Sequence, residues 1–286
     1  IFTNLEPEHI EAHGSFEKYK ACKLRLRDAV VHSNKTDKMI VANVDNEYGS
    51  EFLDAPGVTG VPYRLQDVAP SASNDRGTLF TYRGATIQSP LVGEFNIRNM
   101  LSAMIVAEHF GVSIDSMRDT LKNFSDIPGR AEKINAGQQF SVVVDYAHTP
   151  ESLRAVYQAF PGDKICVLGN CGGGRDTWKR PKMASIADEY CKQIILTNED
   201  PYDEDPRQIV EEMATGIWKH KPEIILDRRE AIRRAVSLAD ARDTVLITGK
   251  GTDPYIMGPN DSKIEWSDSQ VAEEELFKLG KSKDQK

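Results

Sequence analysis

The segment VVVDYAHTPESL, residues 142–153, decides how this chain is read. Its β-branched run Val142–Val144 has the character of a buried strand, and the polar residues Asp145, Tyr146 and His148 follow where the strand runs into a helix. In open α/β sheets, ligands sit in the crevice beyond the carboxyl ends of the strands. These three side chains would therefore stand on a binding rim.

The pattern continues outward from this junction. FSVVVDY, KICVLGN, QIILTN, EIIL and TVLITG are short apolar runs, separated by ESLRAVYQAF, KRPKMASIADEYC, DPRQIVEEMATGIWKH and RREAIRRAVSLA. In each of the latter, apolar residues recur at three and four, the helical period. Alternating strands and helices imply an α/β fold with a mostly parallel, doubly wound, Rossmann-like sheet. Asp205 and Pro206 mark a helix start as cap and first-turn residue. The upstream part reads differently, with a helix at FEKYKACKLRLRDAV, a strand at MIVAN and a turn-rich hairpin region over LQDVAPSASNDRGTLFTYRGATI. A second helix, FNIRNMLSAMIVAEHFG, places Met100, Leu101, Met104 and Ile105 on one face and stops at Gly111. Pro128 and Gly129 in SDIPGRAEK suggest a boundary between domains 1–128 and 129–286. The charged end KLGKSKDQK is expected to fray.

Composition narrows the partner. The 286 residues are 40% hydrophobic and 28% charged, with a formal net charge of -8. That balance leaves no broad basic field for nucleic acid or an anionic membrane surface, and points to a small molecule. The longest apolar stretches are strand-sized, short of the roughly 20 residues a membrane helix requires. Cys22, Cys166, Cys171 and Cys191 show no CxxC pairing and are expected to be reduced and structural, as in the cytosol. The opening IFTNLEPEHI has no signal-peptide pattern, and the chain is expected to begin within a longer protein.

Chemistry gathers at four strand ends. VLGNCGGGRDTWKRP has three successive glycines, which let backbone approach a ligand, beside the cations Arg175, Lys179 and Arg180. It lacks the third glycine of a dinucleotide fingerprint. The third end, LTNEDPYDEDP, crowds Asp200, Tyr202, Asp203 and Asp205, which taken alone could be a solvated turn. The fourth, TGKGTDPY, supplies Gly249, Lys250 and Asp253. In a parallel sheet all four ends converge on one edge. Near the amino terminus His9 and His13 are four apart, but Gly14 argues against a continuous helix and so against a paired zinc site.

TNLEPEHIEAHGSFEKYKACK, GEFNIRNMLSAM, PGRAEK, DYAHTPESL, GNCGGGRDTWKRP and TGKGTDPY, in this order, resemble the Mur ligases, and within them the MurE-type branch that makes UDP-N-acetylmuramoyl-tripeptides for peptidoglycan. The resemblance runs from residue 3 to about 279 and implies the later part of a central ATPase domain followed by a complete C-terminal ligase domain. It implies a cytoplasmic, monomeric, ATP- and Mg2+-dependent enzyme of cell wall biogenesis, cell shape and division. Such an enzyme phosphorylates a carboxylate of UDP-MurNAc-dipeptide, and the amine of a free amino acid attacks the acyl phosphate. By the same resemblance His9 would help hold magnesium, and Lys23 would carry a carbamate, an oxygen-donor anion of the kind magnesium demands. Without that modification, Lys23 is a helix-surface lysine. Asn43, Asn96 and Asn99 match asparagines near the nucleotide. Arg130 matches an arginine on ATP, Asp145 would accept from the ribose, and His148 would lie near the forming bond, although it could also cap the following helix.

Departures from the family pattern bear on the substrate. Diaminopimelate-adding members read DNPR at the third strand end, where asparagine and arginine hold the distal carboxylate; here Glu199, Asp200, Pro201 and Tyr202 stand in those places. Losing that arginine favours lysine or ornithine, with Arg175 on the α-carboxylate and Asp200, Tyr202, Gly249 and Asp253 toward the rest of the amino acid. Asn170 and Gly174 replace a usual glycine and aspartate. No G-x-x-x-x-G-K-[ST] loop occurs in the sequence, so these residues alone are expected to have little or no ligase activity. Two other readings stand beside this one: a sister amide ligase acting on folate or cyanophycin, and a non-catalytic nucleotide-binding protein.

Overall fold

The computed structural model describes residues 1–124 and 126–283. The chain divides into two compact units, Ile1–Ser125 and Asp126–Lys286. The division falls just before the expected 128/129 boundary, because Ile127 forms a bridge with Arg130 and so keeps this short turn with the second unit.

In the first unit a one-turn helix α1 (Ile10–His13) leads into α2 (Phe16–Val31), whose amino end is capped by the Ser15 hydroxyl accepting from the Lys18 amide. Strand β1 (Met39–Asn43), helix α3 (Gly49–Leu53) and strand β2 (Thr59–Tyr63) follow, with β1 and β2 paired in parallel. The turn-rich region forms an antiparallel meander of β3 (Ser71–Asn74), β4 (Gly77–Tyr82) and β5 (Ala85–Ser89). Arg83 and Gly84 make the two-residue connection between β4 and β5, both at positive φ, as a tight hairpin turn requires. Helix α4 (Glu94–His109) buries Met100, Leu101 and Met104 against Val41, Tyr63, Phe80 and Ile87, and α5 (Ile114–Lys122) closes the unit.

The second unit is a six-stranded sheet. Its strands are β6 (Glu132–Lys133), β7 (Ser141–Asp145), β8 (Lys164–Leu168), β9 (Gln193–Leu196), β10 (Glu223–Ile224) and β11 (Thr244–Thr248), in the spatial order β10-β9-β8-β11-β7-β6. All pairings are parallel except that of β6 with β7. The central β8 and β11 are buried along their whole length, which explains why they read as continuous apolar runs rather than alternating ones. The helices are α6 (Pro150–Ala159), α7 (Lys179–Tyr190), α8 (Pro206–Ala214), α9 (Arg228–Leu238) and α10 (Asp268–Lys283). Ala231, Ile232, Ala235 and Val236 of α9 and Val271, Ala272 and Leu276 of α10 share a core with Val142, Val144, Ile165, Val167, Val245 and Ile247. The mixed α/β fold with a mostly parallel sheet is thus the one its alternation predicts.

Four details depart from expectation. Helix α8 stops at Ala214 instead of running to His220. Gly216 lies against the Pro181 carbonyl, and the Asp188 carboxylate accepts the amides of Trp218, Lys219 and His220, so this segment is a loop bound to α7. The residues after Asp253 form a small hairpin, β12 (Tyr255–Met257) with β13 (Lys263–Glu265), that periodicity did not signal. The charged carboxyl end is helical through Lys283, and residues 284–286 lie outside the described part. Cys166 and Cys191, expected to be reduced, form a buried disulfide joining β8 to the residue that ends α7, while Cys22 and Cys171 are free. Cysteine spacing gave no hint of this, since only the sheet brings the two together.

Closing a loop with a sequence separation of 25 restricts the unfolded chain, which on loop length alone amounts to about 3 kcal/mol. A thiol reductant is expected to lower the unfolding free energy by that order, and Cys191→Ser to abolish the response, in denaturant titrations with and without dithiothreitol.

Candidate functional site

The carboxyl ends of β7, β8, β9 and β11 lie on one edge of the second unit, and they bring together most of the residues singled out there. At β7, Asp145 is buried, and its two oxygens accept the Ala147 and Ala131 amides, each at 2.7 Å. Burial raises its pKa, against the opposing pull of these two hydrogen bonds, Arg130 and His148. The Ala131 contact holds the turn that carries Arg130, whose guanidinium lies 4.7 Å from the centre of the Tyr146 ring. The His148 ring stands edge-on to Tyr146, and its Nδ1 is 2.9 Å from the Tyr146 carbonyl. A carbonyl only accepts, so Nδ1 is the donor in this contact. Gly129 and Gly251 pack backbone to backbone here, and a Cβ on Gly129 would meet Gly251 within 2.5 Å.

The other three ends interlock. Lys250, 1% exposed, reaches from the end of β11 and places its ammonium 2.8 Å from both oxygens of Asp200 and 3.3 Å from Asp253. Burial works against its charge, but Asp200, Glu199 and Asp253 outweigh that effect and its pKa is raised. Asp200 also accepts the Met257 amide at 2.8 Å. It is therefore a buried, fully engaged carboxylate rather than a free one on the rim. Glu199 differs: it is 2% exposed, its Oε1 accepts the Cys171 thiol at 3.1 Å, and its Oε2 has no hydrogen-bond partner. That oxygen is turned toward Gly249, where a Cβ would come within 2.1 Å of it, and the positive φ of Gly249 favours glycine there. Burial, with Glu199 and Asp200 nearby, pushes the Cys171 thiol well up, which keeps it protonated and able to donate. Arg175 is exposed at the tip of the glycine loop beside the Tyr202 phenol, and Tyr202 adopts a left-handed backbone with its ring against Gly173.

One cation beneath this edge carries no signal in the sequence. Arg228, at the start of α9, is buried with Asp268 in a two-pronged ion pair at 2.8 and 2.7 Å. Its guanidinium also donates to the carbonyls of Thr248 and Asn198, fastening the ends of β11 and β9. Nothing in the spacing of RREAI distinguishes this arginine from a solvated one. Glu199 stands out in the sequence only for its place in the segment matching DNPR, with no site role.

In the first unit, His9 and Lys23 border the same side chain. The His9 ring is 5.8 Å from that of Tyr19, and the exposed Lys23 ammonium lies 5.2 Å from its centre. His13 packs on Tyr19 as well, at 5.3 Å. Among the described residues, no group of three or more His, Cys, Asp or Glu side chains is placed to hold a metal. Asn43 donates to the Thr3 carbonyl and accepts the Asp45 amide, so its side chain is engaged on both sides. Asn96 is buried and donates to the Val92 carbonyl, while Asn99, one turn on, is exposed and reaches its oxygen at 3.5 Å. Among the described residues, no helix is long and apolar enough to cross a membrane.

Two family models match the chain: the Mur ligase middle domain over residues 1–107 and the Mur ligase glutamate ligase domain over residues 129–251. The chain belongs to the Mur ligase family. It is 35% identical to a UDP-N-acetylmuramoyl-L-alanyl-D-glutamate–2,6-diaminopimelate ligase of Bacillus cereus, over 96% of this chain and 59% of that protein. The ligase of the same name from Synechococcus elongatus is 37% identical, over 95% of this chain and 57% of that protein. A solved structure of a ligase with this name superposes with a TM-score of 0.59 at 31% identity, covering 98% of this chain and 60% of the other. The chain thus spans under two thirds of the length of each of these relatives.

The Lys250–Asp200 pair yields a stability prediction. Removing one partner of a buried ion pair costs about 3–5 kcal/mol, and Asp200→Asn is expected to fall near the lower figure because an amide oxygen remains. Since the Lys250 pKa is raised on folding, its contribution is complete below the ordinary lysine value of about 10.4 and is lost as pH rises through the folded value. Urea titrations should show the gap between wild type and Asp200→Asn narrowing above about pH 10.

Proposed function

We propose that this chain supplies the nucleotide-facing and amino-acid-binding parts of a cytoplasmic, ATP- and Mg2+-dependent ligase that adds the third amino acid to UDP-MurNAc-L-Ala-D-Glu. The observation that carries the reading is the convergence of Arg130, Asp145, His148, Arg175, Lys250 and Asp253 around one edge of a single sheet, in a member of the Mur ligase family. A phosphoryl-transfer and amide-forming site needs little covalent help from the protein, only charge and position. In this reading Arg130 meets phosphate charge, Asp145 faces the ribose, and His148 faces the reacting centre. Arg175 takes the α-carboxylate. Asn43, Asn96 and Asn99 would serve the nucleotide, with Asn99 the one whose amide is exposed.

Magnesium would be held at His9 and Lys23. An ammonium repels the ion, so the pair around Tyr19 fits it only with Lys23 as a carbamate, whose oxygens are the ligand type magnesium takes. The ion would neutralise phosphate charge. Because the sequence contains no phosphate-cradling G-x-x-x-x-G-K-[ST] loop, turnover by these 286 residues alone is expected to be slight, and the assay belongs on the full-length protein.

The relatives named above carry diaminopimelate in their names. For this chain we favour lysine or ornithine. Tyr202 beside Arg175 leaves no arginine for a second carboxylate, and Asp200 is already neutralised by Lys250. What remains beneath Gly249 is the unpaired Glu199 oxygen, with Asp253 close to Lys250. Carboxylates in these places favour a distal ammonium and repel a distal carboxylate.

The test is phosphate release by the full-length protein with UDP-MurNAc-dipeptide, MgATP and each of lysine, ornithine and diaminopimelate. A basic amino acid is expected to lead in kcat/KM by about tenfold or more, equivalent to about 1.4 kcal/mol. Glu199→Gln should raise the KM for that amino acid while the KM for ATP holds. Diaminopimelate clearly preferred by the wild type would overturn the substrate assignment, and no turnover with any of the three would overturn the ligase reading itself.

A further inference from the structure

Arg180 is the second residue of α7 and is 2% exposed, and its hydrogen bonds among the described residues go to none of those assigned above to the nucleotide. Three segments meet on its guanidinium. Nη2 donates to the Cys171 carbonyl of the glycine loop at 3.2 Å and to Oε2 of Glu204 at 2.7 Å, and Nη1 donates to Oε2 of Glu212 on α8 at 2.7 Å. Glu204 then uses its other oxygen, Oε1, to accept the Gly174 amide at 3.3 Å. The loop is thus gripped at both ends, at Cys171 directly and at Gly174 through Glu204.

Backbone contacts align the same two loops. The Gly172 amide donates to the Asp200 carbonyl at 2.8 Å, and a Cβ on Gly172 would collide with the Pro201 carbonyl at 2.2 Å. Gly173 and Gly174 both hold positive φ, so the loop has no intrinsic preference that would keep this shape. A mobile glycine run is expensive to order, and a bidentate guanidinium whose partners lie on different segments supplies the ordering. Glu212, by contrast, shares the guanidinium but makes no hydrogen bond to either loop among the described residues; its other oxygen accepts from Gln208 of its own helix.

We infer that Arg180 and Glu204 are positioning residues that lock the glycine loop Cys171–Arg175 against the turn Pro201–Asp205, and thereby set where Arg175 presents its charge. Its kinetic consequence rests on the proposed ligase reading; its structural consequence does not.

Glu204→Gln and Glu212→Gln form the test, because each removes one ion pair from the same guanidinium. Hydrogen exchange should quicken by about tenfold or more at the amides of residues 172–175 in Glu204→Gln, and stay at the wild-type rate there in Glu212→Gln. In the full-length enzyme, Glu204→Gln should raise the KM for the amino acid about tenfold with kcat and the KM for ATP unchanged, whereas Glu212→Gln leaves all three unchanged. Equal loop exchange in the two variants, or loss of thermal stability as the sole effect of both, would overturn the inference. If the wild type turns over no amino acid, the ligase reading falls while the exchange comparison still decides this one.

Discussion

A protonated lysine with almost no access to water is unfavourable unless negative charge surrounds it. Lys250 meets that condition through Asp200 on both oxygens and Asp253 on one, and in doing so it draws the ends of β9 and β11 together across the intervening β8. The rest of the rim depends on this closeness. A side chain on Gly172 would run into the Pro201 backbone and one on Gly129 into the Gly251 backbone, while Gly249 sits at positive φ with Glu199 close against it. The edge is therefore built from backbone packed on backbone, with charges buried between.

Arg228 and Asp268 repeat the device one layer deeper. Their pairing joins the start of α9 to the start of α10, and two further guanidinium hydrogens go to main-chain carbonyls at the strand tips. Strand ends in a parallel sheet have carbonyls that the next turn of chain leaves unpaired, and a buried arginine with several donors is suited to collecting them. The acidic balance of the sequence thus conceals a locally alternating arrangement, in which buried cations at positions 180, 228 and 250 each hold carboxylates from other segments.

Much of the sheet was legible, because Val142–Val144, Ile165–Leu168 and Val245–Ile247 are runs that only buried parallel strands tolerate, and helices with period three and four lie between them. The convergence of strand ends follows from parallelism alone. The end of α8 was not legible: the residues up to His220 keep a helical look, and what stops the helix is the Asp188 carboxylate taking three successive amides, a contact made across sequence. Pairing between Cys166 and Cys191 is hidden for the same reason. At the site, residue types showed which side chains carry charge but not which of them are already engaged. Asp200 and Glu199 are neighbours in an acidic run, and only coordinates separate the one committed to Lys250 from the one with an oxygen to spare.

Asp145 carries two duties that are hard to tell apart by substitution. Its oxygens anchor the amide that sets the Arg130 turn and the amide that leads into His148. A side-chain change there would unsettle a neighbour on each flank before any ligand is considered. Impaired turnover in such a variant would say nothing about ribose recognition unless the placement of both neighbours were measured alongside it.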